Sequence, residues 1–149
     1  MRFRIFLALA LVAALMAVPI ATGATKKSHA LSSTAHMAVI SESGVSPVKW
    51  AGEVTGRPAG RSALVLTSTA TGQNATGRAV QYTKHGTIVA TTTNRIEPQP
   101  DGSTRFPGTF KVVGGTGRYR DATGGGTFQG VVPANGNVLT ATLTGKIRY

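Results

Sequence analysis

KVVGGTGRYRDATGGGTFQG, running from Lys111 to Gly130, places glycine at seven of its twenty positions. A stretch of this kind is either a loop that cradles phosphate or the corner of a β-sheet. A P-loop requires Gly, four residues, then Gly-Lys-Ser/Thr, and no such string occurs in the chain. A dinucleotide fingerprint requires Gly-x-Gly-x-x-Gly opening a helix. Gly115 and Gly117 supply the first two glycines, but Arg120 occupies the third position. The residues that follow, DATGGG, are too rich in glycine to nucleate a helix. Glycine also permits positive φ and close backbone approach, so paired glycines between β-runs build bulges and tight corners. The stretch is read as a corner.

Working outward, apolar runs of five to ten residues alternate with clusters of Gly, Pro, Asn and Asp from Ala35 to the end of the 149-residue chain. Eight strands are expected: AHMAVIS, VKWAGEV, RSALVLTST, GRAVQYT, TIVATTTNR, TRFPGTFKVV, GTFQGVV and NVLTATLTGKIRY. The intervening breaks leave no room for crossover helices, so neighbours must be antiparallel. The last run alternates cleanly. Leu139, Ala141, Leu143, Gly145, Ile147 and Tyr149 share one face, and Thr140, Thr142, Thr144, Lys146 and Arg148 share the other. Pro107 lacks a ladder donor and marks an edge or bulge in the sixth run. Eight meandering strands without cysteine must close or pack as a sandwich. Closure removes the exposed edges, which favours an all-β, antiparallel, eight-stranded, calycin-like barrel.

The N-terminus has the three-part pattern of a secretory signal peptide. Arg2 and Arg4 precede an uncharged apolar run, Ile5 to Val18, and small residues leading to Ala24 follow. The expected division is therefore a signal peptide over 1–24, a flexible leader over 25–34 (TKKSHALSST) and one barrel domain over 35–149. Export through this signal places the mature protein outside the cell with no membrane span. The formal net charge of +11 falls to about +9 once Arg2 and Arg4 are removed.

The glycine corner also carries a family resemblance. Gly114, Gly115, Thr116, Gly117, Arg118, Tyr119, Ala122 and Gly124, followed by LTATLTGKIRY, resemble the allene oxide cyclase and dirigent-like barrel superfamily, in particular its small secreted actinobacterial members. About 40 C-terminal residues carry the likeness; the remainder matches in strand rhythm. Asp121 departs from the glycine common at that place, and Asp tolerates a left-handed backbone better than most residues. The resemblance implies an eight-stranded antiparallel barrel, and it invites a cyclase or stereochemistry-directing role within the lumen.

Chemistry-bearing residues are few. Glu42, Glu97 and Asp101 lie in turn-like sequence and read as solvated charges, whereas Glu53 lies inside a strand. His29, His36 and His85 lack metal-ligand spacing, and there is neither cysteine nor a Gly-x-Ser-x-Gly elbow. No cofactor or metal is implied. Lumen-facing candidates for ligand contact are Trp50, Glu53, Tyr82 and Arg95. Gly114, Gly115, Gly117, Arg118, Tyr119 and Gly124 are read as structural, with the Tyr119 ring covering a barrel end and the Arg118 guanidinium bonding loop carbonyls. The basic residues lack interleaved aromatics, which argues against nucleic acid and toward anionic wall polymers. Three functions follow as expectations: a non-catalytic binder of an apolar small molecule or an envelope-associated module; an isomerase or cyclase on an apolar secondary metabolite; and an electrostatic binder of anionic wall polymers.

Overall fold

The computed structural model describes residues 25–42 and 44–149. The expected signal peptide lies outside the described residues. Eight long strands form one closed antiparallel sheet: β1 (Ser28–Val39), β2 (Val48–Arg57), β3 (Ser62–Thr71), β4 (Asn74–Thr83), β5 (Gly86–Arg95), β7 (Thr104–Gly115), β8 (Thr123–Val132) and β9 (Val138–Arg148). A two-residue strand, β6 (Glu97–Pro98), pairs with the start of β7. The long strands follow chain order around the barrel, β5 pairing with β7, and the barrel closes where β1 pairs with β9.

β9 alternates as expected. Leu139, Ala141 and Ile147 are buried, while Thr140, Thr142, Thr144, Lys146 and Arg148 are exposed. Two apolar clusters fill the interior. Leu31, Ile88, Phe110, Val112, Tyr119, Ala122 and Ile147 pack at one end. Ala35, Met37, Val54, Leu64, Leu139 and Ala141 pack toward the other.

The glycine stretch forms the corner between β7 and β8. Val89 faces Gly114 and Ala90 faces Val112, so Val113 is the extra residue of a bulge and points outward. A short 3-10 turn, Gly117–Tyr119, follows. Gly117 has φ +57, and a Cβ there would lie 2.3 Å from the His85 carbonyl oxygen. The Arg118 amide donates to that same carbonyl at 2.9 Å, tying the corner to the β4–β5 turn. The turn thereby drives the Tyr119 ring into the end of the barrel, where it is 1% exposed. That end is capped, and the opposite end is open.

Three expectations change. The leader over 25–34 is ordered from Ser28, because β1 begins there and pairs with the last turn of β9 from Ser28↔Arg148 onward. Its serines and threonines give no apolar contrast, although Leu31 and Ser33 point inward and are buried. The barrel therefore starts at Ser28 rather than Ala35. The second glycine run belongs to strand β8 instead of the corner loop, with Gly126 facing Gly145 across the β8–β9 ladder. Pro98 is strand as well, in β6. Pro107 sits where β5 has stopped pairing at Gly108 and β6 starts at Arg105, a local edge that tolerates its missing donor.

Candidate functional site: the barrel lumen

Along β4 and β5 the inward positions other than Ile88 are small or polar: Ala75, Gly77, Ala79 and Gln81, then Ala90, Thr92 and Asn94. Larger side chains face them from the other strands, including Phe106 and Phe110 of β7, Phe128 of β8 and Leu143 of β9. Small residues opposite large ones leave the axis incompletely filled. Three cavities result. One of about 70 Å³ lies toward the capped end, between Ile88, Phe110, Leu31 and Gln81. A second of about 130 Å³ opens at the other end beside Trp50, Phe106 and Ile96. A third of about 50 Å³ lies between them, sharing Leu64, Ala79 and Leu143 with the first and Leu66 with the second. Thr92 is the single residue that lines all three.

The lining is almost wholly apolar, and none of its residues is ionisable. Three of its polar groups are already engaged. The Ser33 hydroxyl donates to the Arg57 carbonyl at 2.9 Å, the Gln81 amide donates to the Ser62 hydroxyl at 2.8 Å, and the Asn94 amide donates to the Arg95 carbonyl at 3.1 Å. Dry apolar spaces near the size of the larger cavity hold benzene-sized molecules. The lumen therefore suits a small hydrocarbon-like body with at most one polar handle, and the Thr92 hydroxyl, a donor and acceptor, is placed to meet that handle.

Of the four candidates from the sequence, only Trp50 faces the lumen. The other three are corrected by the period of two. With Trp50 and Val54 inward, Glu53 must point out, where it pairs with Arg61 at 2.6 Å and is 42% exposed. Gln81 inward turns Tyr82 to solvent at 50% exposure. Asn94 inward leaves Arg95 on the outer surface. The sequence reading missed Thr92, Gln81 and Asn94. Runs such as TTTNR carry no apolar contrast, yet the charge of Arg95 set the parity: a solvated Arg95 puts Asn94 and Thr92 inside.

At the capped end, Tyr119 covers the barrel as expected, packed edge-on to Tyr149 at 4.8 Å and 69°. Arg118 behaves otherwise than expected. Its guanidinium lies over the Tyr149 ring, 5.0 Å from the centroid, and bonds no loop carbonyl among the described residues. His29 stacks on the opposite part of this cluster, 4.5 Å from Tyr149. Burial pushes the Tyr149 phenol above its ordinary value and the neighbouring Tyr119 adds to the rise, while Arg118 opposes it.

No family model, curated protein or solved structure matches this chain.

Proposed function

We infer that the protein is a non-catalytic barrel that binds one small apolar molecule in its lumen, acting outside the cell after export through its N-terminal signal. One observation carries the binding reading: a row of adjacent apolar cavities lined by no ionisable side chain. General acid–base catalysis needs a titratable group within hydrogen-bond reach of the reacting atom. Glu53 and Arg95, the two ionised residues among the expected lumen contacts, point away from the lumen, so the cyclase reading has less support than the binding one. The likeness to allene oxide cyclase and dirigent-like barrels agrees with a ligand inside the barrel and leaves its chemistry open to test.

Isothermal titration with toluene and with cyclohexanone tests this reading. The two probes share a ring-sized body, and only the ketone carries an acceptor. Both are expected to bind with a 1:1 stoichiometry and a Kd on the order of 0.1–1 mM, with negative heat capacity change. Ala79→Leu, which fills the space where the first and third cavities adjoin, removes binding of both. Thr92→Val weakens the ketone alone. Absence of saturable binding of either probe by a folded wild type would end the reading.

A further inference from the structure

The outer face of the barrel carries a pattern that the lumen does not explain. Following the register from strand to strand, Thr69 pairs with Thr76, Thr76 with Thr93, Thr93 with Thr109, Thr109 with Thr127 and Thr127 with Thr144. Thr144 then pairs with Ser32 of β1. Every member is exposed. A belt of hydroxyls thus crosses seven neighbouring strands.

Two residues along each strand, toward the capped end, runs a parallel row. Lys49 of β2, Arg78 of β4, Lys111 of β7 and Lys146 of β9 occupy alternate strands in it, separated by Thr67, Thr91 and Gly125. Strands lie about 4.8 Å apart, so these cations repeat at about 10 Å. Gly125 contributes no side chain between Lys111 and Lys146, which leaves that part of the groove open.

Charge is distributed to match. The open end bears Arg95 and Arg105 against Glu42, Glu97 and Asp101, and is slightly negative. All other Lys and Arg residues of the described chain lie on the waist or the capped half, where the acidic residues are Glu53 and Asp121. Glu53 is already paired with Arg61. The positive field is therefore concentrated on one half of the barrel, along the belt and beyond it.

We propose that this belt is the binding surface for a linear phosphodiester polymer without bases, of the polyol-phosphate type. A single exposed ion pair contributes little, and cations 10 Å apart exceed the reach of one small anion. An extended polyanion engages the four cations together, and the hydroxyl row supplies further donors to its phosphate oxygens. Nucleic acid fits less well, because neither row holds an aromatic residue on which a base would stack. The surface lies on the outside of the barrel, so the proposal stands apart from the lumen reading.

Fluorescence anisotropy with labelled poly(glycerol phosphate) provides the test, read at low and high salt. The wild type binds with an affinity that falls steeply with salt. Arg78→Gln/Lys111→Gln/Lys146→Gln weakens binding roughly twentyfold, and its log–log salt slope is shallower by about 2. Lys84→Gln/Arg95→Gln/Arg105→Gln removes the same charge at positions four or more residues along the chain, about 13 Å or more, from the cation row, and leaves binding within about twofold, as expected for groups beyond a Debye length of about 8 Å. Circular dichroism confirms that both triple variants fold. Equal weakening by the two triples would reduce the effect to net charge and overturn the belt. So would absence of polymer binding, or equal or tighter binding of an oligothymidylate, which would mark a nucleic-acid surface.

Discussion

Replacement of Tyr119 by alanine separates a structural corner from a ligand-contacting one. The ring is 1% exposed and packs with Leu31, Ile88, Phe110, Val112, Ala122 and Ile147. Truncating a buried aromatic to alanine costs about 3–5 kcal/mol through lost transfer energy and the cavity left behind. Loss of the edge-on contact with Tyr149 adds about 1 kcal/mol at most. Against a total stability of about 5–15 kcal/mol this is a large fraction. At roughly 4 °C per kcal/mol for a domain of this size, Tm falls by about 12–20 °C. The assay is urea unfolding followed by fluorescence of Trp50, the sole tryptophan, which packs against the other apolar cluster and reports on the whole barrel. Tyr119→Phe retains the ring and costs about 1 kcal/mol or less. Two results would refute the reasoning: a loss below about 1 kcal/mol for Tyr119→Ala, or equal losses for alanine and phenylalanine. Either would mean that the ring does not cap the barrel.

Two further outcomes follow from the same geometry. The raised pKa of Tyr149 means the folded state holds the phenol proton more tightly than the unfolded chain, so its stabilisation is complete below the ordinary value of 10.0 and is lost as pH rises beyond it; urea titrations between pH 8 and 11 should show a steeper decline for wild type than for Tyr149→Phe. At the β8–β9 crossing, a Cβ on Gly126 would lie 1.9 Å from the Thr144 carbonyl oxygen, whereas one on Gly72 meets nothing within 4 Å. Gly126→Ala is therefore expected to cost about 3 kcal/mol, and Gly72→Ala, strained only by its φ of +60, about 1–2 kcal/mol; comparable urea midpoints for the two would contradict the close approach.

The all-β class, the antiparallel meander and the β9 alternation were legible in the sequence because each rests on local signals. Apolar contrast at a period of two announces a strand with one buried face, and turn residues punctuate it. The corner was legible for the same reason, since Gly117 marks a backbone conformation and Tyr119 a large ring beside it. Legibility failed where contrast vanished. SHALSST and TTTNR are polar on both faces, so β1 was begun seven residues late and the inward position of Thr92 went unseen.

By itself, then, the sequence determined the local events: which runs extend, where they turn, and which face of β9 is buried. Whether the sheet closes, and which side chains share its interior, was decided only by the tertiary structure. Closure depends on β1 meeting β9, a contact between the first and last strands of the chain. Orientation follows from that closure, because one residue of register sends every side chain to the opposite face. Glu53, Tyr82 and Arg95 were assigned to the lumen without such a register, and the pairing of β2, β4 and β5 turned all three to solvent. The hydroxyl and cation rows have the same origin. Threonines and lysines scattered through seven strands become adjacent only when the register aligns them.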